Sequence, residues 1–138
     1  MTTKLLVSLL LLLSAFCLWS CGSSGAVLNA AEAGFKRDIT AAGQVINFKE
    51  VKTVEKQADG KAILFYFEST VRWLTFDEAV NDKAHPQDPE TYVNTIHYVH
   101  ENLLTGPPKL GTQQVIQGAA ILVKTDLGWE YKGLTRGQ

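Results

Sequence analysis

The sequence predicts an α+β domain: one helix packed across an antiparallel sheet of about four strands, with a second, short helix between the strand pairs. Three patterns carry this expectation. An apolar stripe with three- and four-residue steps runs from Ala26 to Ala42, a two-residue alternation fills Lys61 to Leu74, and two alternating runs flank the turn residues Asp126-Leu127-Gly128. A helix followed by strands in pairs suits segregated layers rather than a parallel sheet with alternating helices.

In the first helix Leu28, Ala31, Phe35, Ile39 and Ala42 share one face, and Gly43 is a suitable stop. Gly34 costs about 1 kcal/mol against Ala inside a helix but permits close approach to a sheet. Lys36, Arg37 and Asp38 read as a solvated face. Residues 44–55 hold Val45, Ile46, Phe48, Val51 and Val54 without clean alternation, which predicts a strand with a bulge. The turn Ala58-Asp59-Gly60 leads into the most regular stretch. There Ile63, Phe65, Phe67, Val71 and Trp73 point one way and Glu68, Thr70 and Arg72 the other, so this strand is expected to be central, with Leu64 and Tyr66 partly covered on its second face.

Phe76 to Gln87 reads as a polar connection. Asp88-Pro89-Glu90 then has the residues of a helix start, with Asp88 as cap and Pro89 in the first helical position. Tyr92, Val93, Ile96, Val99, Leu103 and Leu104 form its stripe, and Gly106-Pro107-Pro108 ends it; an extended edge segment is the rival reading, since Tyr, Val, Thr and Ile also favour strands. The closing hairpin spans residues 112–134. Val115, Ala119, Ile121 and Val123 alternate there with Gln114, Gly118, Ala120 and Lys124, and the small Gly118-Ala119-Ala120 calls for something bulky above it, for which the first helix is the natural candidate. Residues about 44–74 and 112–134 are thus expected to form one sheet with Ile63, Phe65, Phe67 and Trp129 buried.

The N-terminal stretch addresses location rather than fold. Met1 to Ser20 has a basic start at Lys4, an apolar run from Leu5 to Trp19 and small residues near a cut site, the parts of an export signal. The run is 15 residues, short of the roughly 20 that span a hydrocarbon core. Leu18-Trp19-Ser20-Cys21 resembles the lipobox of bacterial lipoproteins, with Trp19 standing where members carry a small residue. The resemblance implies cleavage before Cys21, lipidation of Cys21, attachment to the membrane through that lipid, and a place in the bacterial cell envelope. Gly22 is not the aspartate linked to inner-membrane retention in Gram-negative lipoproteins, which favours the outer membrane. The expected organisation is a signal peptide over 1–20, the lipidated cysteine and a short tether over 21–25, and a single domain over 26–138. Four extended tether residues reach about 14 Å, which keeps the domain close to the lipid.

Removing residues 1–20 leaves a length suited to one domain and one core. Cys21 is then the only cysteine left, so no internal disulfide is expected. The whole chain has a formal net charge of −1 and no Lys/Arg cluster, which argues against nucleic acid as a partner.

The pattern from Ala26 to Leu134 resembles small bacterial lipoproteins with a cystatin-like domain, or one like nuclear transport factor 2. The residues concerned are Val51-Lys52-Thr53 before the Asp59-Gly60 turn, the aromatic run Phe65-Tyr66-Phe67, and Val123-Lys124-Thr125-Asp126-Leu127-Gly128-Trp129. The protease-inhibiting hairpin tip of true cystatins has only a faint echo in Gln114-Val115-Ile116-Gln117-Gly118, inside an expected strand.

No constellation compels a chemistry. His97, His100 and Glu101 would share one side of a helix and offer metal ligands, with His85 and Glu90 as spare ones, but two half-exposed histidines on a helix edge are the commoner outcome. Asp77, Glu78 and Asp82 lack the spacing and glycine of a calcium loop. Folds like nuclear transport factor 2 can place a carboxylate and a tyrosine in an apolar cone, and Glu68 with Tyr66 could take that part; both, however, belong to the more polar and less covered face of their strand. No catalytic residue, cofactor or metal is therefore expected. The reading is a non-enzymatic binding or accessory module that contacts an envelope protein or a small ligand through Asp77 to Leu110, against the alternatives of a small-pocket enzyme or a structural subunit of an envelope complex.

Overall fold

The computed structural model describes residues 25–55 and 59–137; the expected signal peptide, Cys21 and most of the expected tether lie outside the described residues. Residues 25–39 are helical (α1). Then come strands β1 (Gly43–Glu55) and β2 (Ala62–Trp73), helices α2 (Phe76–Val80) and α3 (Pro89–Asn102), and strands β3 (Gln113–Thr125) and β4 (Gly128–Arg136). The strands form one antiparallel sheet in the order β1-β2-β3-β4, so the α+β arrangement is as expected. Among the described residues no helix is long and apolar enough to cross a membrane.

Alternation on β2 sets the layers. Ile63, Phe65, Phe67, Val71 and Trp73 are buried on one face, together with Ser69, whose hydroxyl donates to the Asn47 carbonyl. Val27, Ala31, Phe35 and Ile39 of α1 join this core, as do Val99, Leu103 and Leu104 from the end of α3. Phe35 lies between Phe48 and Phe67, with ring centroids 5.6 and 4.9 Å away. Both long helices therefore sit on the same face of the sheet.

The bulge expected in β1 is present twice, where register shifts leave Ile46 and Val51 unpaired. An extra residue bends a strand and disrupts its edge ladder. Both residues are more than half exposed, at 53% and 55%.

The inserted segment forms helix rather than an edge strand. Asp88 accepts from the Thr91 N–H at 2.9 Å and Pro89 opens α3, as its sequence suggests. Tyr92 and Val99 are buried, Ile96 is half-buried, and Val93 is exposed, with Thr95 taking a buried place. The polar connection contains a helix that periodicity does not reveal: Thr75 caps α2 through the Glu78 N–H while the Glu78 carboxylate returns to the Thr75 N–H. This reciprocal pair satisfies two free donors of a very short helix.

The phase of β3, which its alternation leaves open, is set by the sheet, and two further expectations are corrected. On β3 the buried phase is Ile116, Gly118, Ala120 and Leu122, because these residues pair with the core face of β2; Val115, Ile121 and Val123 face away. The residue above Gly118 is Leu103 from the end of α3, so tightly placed that a Cβ at 118 would overlap it, and α1 packs further along, against β4. Trp129 lies against the rim of the core and is half-buried.

Phe65 is fully buried at the centre of β2, so Phe65→Ala should lower unfolding free energy by about 3–5 kcal/mol in a denaturant titration. A loss under about 1 kcal/mol, far below that range, would contradict the packing described.

Candidate functional site

Among the described residues, a carboxylate and two phenols converge where α1, α3 and β4 meet. Gly34 and Asp38 are one helical turn apart and share a line on α1. A Cβ at Gly34 would overlap the Tyr131 ring, so this ring lies flat along the bare helix backbone. Its hydroxyl then reaches Asp38, donating to Oδ2 at 2.7 Å. Tyr98, from the middle of α3, donates to the same oxygen at 3.2 Å and accepts from the Leu134 N–H at 3.2 Å.

A bulge in β4 makes this possible. Tyr131 pairs with Leu122 and Gly133 with Ile121, which leaves Lys132 as the extra residue. Tyr131 and Leu134 thus both face the helices although they are three residues apart. Gly133, at φ 141°, takes a backbone conformation open mainly to glycine.

Burial pushes the Tyr131 hydroxyl far above the usual phenol range, with the hydrogen bond and charge of Asp38 adding to the shift. Burial also raises Tyr98, as does Asp38, while the Leu134 N–H works in the opposite direction. Both phenols remain neutral donors at ordinary pH. Their protons are directed at one carboxylate, which makes the trio a clasp between three elements.

Above the clasp is an open cleft of about 440 Å³, lined by Arg37, Asp38, Asn94, Tyr98, Tyr131 and Lys132 among others. The Arg37 guanidinium stands 5.6 Å from the centre of the Tyr131 ring, with its Nε 4.0 Å from Asp38 Oδ1. The lining offers hydrogen-bond donors and acceptors to a small polar ligand. Asp38, expected on a solvated face, is 23% exposed and is central to the cluster. The relation of Gly34 to Asp38 four residues later is the signal that the sequence holds. Its meaning depends on an aromatic residue almost a hundred positions away.

The other residues weighed from the sequence are not brought together in this way. His85, His97, His100, Glu90 and Glu101 are exposed, and no metal-holding group occurs among the described residues. Glu78 receives two bonds from Arg72, at 2.8 and 3.1 Å, which hold its carboxyl below the usual range. Asp82 accepts from the N–H groups of Ala84 and His85 and shapes a turn. Glu68 and Tyr66 lie on the helix-free face of the sheet, where Glu68 meets Lys49 at 3.0 Å and Tyr66 lies under the Lys52 ammonium. Gln114 to Gly118 is inside β3, as expected.

The raised phenols give a sign to alkaline behaviour. Their stabilisation is complete below the unfolded phenol value of about 10 and is lost as pH climbs toward the higher folded values. Tyr131→Phe should therefore cost about 1.5–3 kcal/mol near neutrality, a typical value for a hydrogen bond to a charged group. Above about pH 10 the variant should lose stability less steeply than the parent in denaturant melts, and an unchanged alkaline slope would count against the clasp. No protein family, curated protein or solved structure matches the chain.

Proposed function

We propose that the chain is a lipid-anchored module of the bacterial cell envelope, held through Cys21 and acting by binding rather than catalysis. The observation that carries this reading is the short distance along the chain: residue 25 is already helical, four positions beyond the cysteine of the lipobox-like stretch. Two or more acyl chains hold a protein to a bilayer far longer than one does, because each buried methylene contributes about 0.8 kcal/mol. Gly22 favours the outer membrane. Labelled fatty acid should enter the parent and not Cys21→Ala, and the variant should leave the membrane fraction; full retention of the variant would overturn the anchor.

The binding reading draws on the clasp, whose phenol protons are engaged by Asp38, and on the cleft beside it, which suits a small polar ligand. Convergence of a carboxylate and two phenols favours the second reading, a small-pocket enzyme. For a protein partner, we assign the outward side of α3 within the segment from Asp77 to Leu110, where Val93 and His97 lie one turn apart and both are exposed. A photocrosslinker at His100 should capture a discrete envelope protein in intact cells. One at Lys36 on α1 should not, and equal capture from both positions would remove α3 as the surface.

A further inference from the structure

The helix-free face of the sheet is divided along its length. Toward the start of β1 and the end of β2 it carries Asn47, Lys49, Glu68, Thr70 and Arg72. Toward the two hairpin turns it becomes apolar: Val54 pairs with Leu64 and Leu64 with Ile121, and the neighbouring row holds Tyr66 opposite Ala119. Leu127 at the β3–β4 turn is fully exposed, and Trp129 follows it at the rim of the core.

The direction of α1 places this apolar end next to the tether. At the C-terminal end of α1, the Leu74 N–H donates to the Ala42 carbonyl, which fixes that end beside the last residues of β2. Further back, Phe35 meets Phe67, and Gly34 meets Tyr131, whose row contains Leu122 and Ile63. The nine residues from Gly34 back to residue 25 extend about 13 Å more at 1.5 Å each. From Tyr131 back to Leu127 the chain advances a similar distance, about 13 Å at the rise of a strand. Residue 25 of α1 and the tip of the β3–β4 hairpin therefore both lie toward the same end of the sheet.

We infer that this end of the domain, with Leu127 at its tip and the row Val54, Leu64 and Ile121 behind it, rests on the lipid surface into which Cys21 is anchored. The inference rests on the Cys21 reading above. A tether of at most about 14 Å, set against a headgroup region about 5–8 Å deep on each side, keeps the hairpin tip within reach of the bilayer surface. The residues suit that boundary. Tyr and Trp favour it, and Lys52, 4.7 Å from the centre of the Tyr66 ring, and Lys124, 6.0 Å from that of Trp129, can keep their ammonium groups in water while their stems lie along apolar surface. In the sequence around the two turns Lys56, Lys61 and Lys124 are offset by Glu55, Asp59 and Asp126, and Lys132 pairs with Glu130 at 2.9 Å, so the contact is not an attraction to anionic lipid.

The acylated full-length mature protein, reconstituted in phosphatidylcholine vesicles, tests this. An environment-sensitive fluorophore on Leu127→Cys should lose most of its emission to lipids brominated near the headgroup, whereas the same fluorophore on Val115→Cys, toward the opposite end of this sheet face, should keep it. Adding anionic lipid should leave both readings unchanged. Acylation is checked by mass in the same samples, so failure of the anchor reading appears as an unmodified Cys21. An acylated protein with no quenching at position 127, equal quenching at both positions, or quenching at 127 that requires anionic lipid would overturn the inference.

Discussion

The absence of a side chain at Gly34 is the constraint on which the arrangement of helices depends. Only a bare backbone lets the Tyr131 ring lie along α1, and only that orientation brings its hydroxyl to Asp38 one turn later. Once Asp38 is fixed, Tyr98 completes the clasp and draws α3 toward the same place; its hydroxyl in turn meets the Leu134 N–H just beyond the bulge. Helix, helix and edge strand are thus joined through one carboxylate oxygen.

The clasp and the aromatic core serve different purposes. Phe35, Phe48, Phe65 and Phe67 provide area and close packing, which are non-directional and would tolerate some sliding of α1 over the sheet. Hydrogen bonds to Asp38 have direction and fix the register of that helix. Removing one of them leaves a carboxylate that still has partial access to water, so the expected loss is smaller than that from deleting a core ring.

The parts legible in the sequence are those governed by local rules. The alternation on β2, the Asp88-Pro89 start of α3 and the irregularity in β1 all follow from period, capping and strand geometry, and all are present. The phase of β3 is not legible because apolar residues occur on both of its faces, and pairing with β2 alone decides which face is covered. Helix α2 is hidden for another reason. Its five residues offer too short a window for periodicity, and its capping box lies in Thr75 and Glu78, which look like ordinary polar connection. The clasp is the least legible feature. Asp38 stands beside Lys36 and Arg37, neighbours that suggest solvent, and neither Tyr98 nor Tyr131 announces a shared partner until the sheet and both helices are in place.

Placing both long helices on one face leaves the second face to be explained. An antiparallel sheet with one solvated side ordinarily presents polar residues there, and β2 follows that rule at Glu68, Thr70 and Arg72. It departs from it at Leu64 and Tyr66, and β3 departs at the paired positions Ile121 and Ala119. Propensity alone would account for β-branched residues anywhere on the face, and indeed Val115 occurs near its polar end. What propensity does not account for is a row across adjacent strands, Val54 to Leu64 to Ile121, near a fully exposed leucine at a turn. The lipid surface proposed above would relate these positions to one another through a single boundary, with apolar atoms toward the bilayer and the lysine ammonium groups left in water.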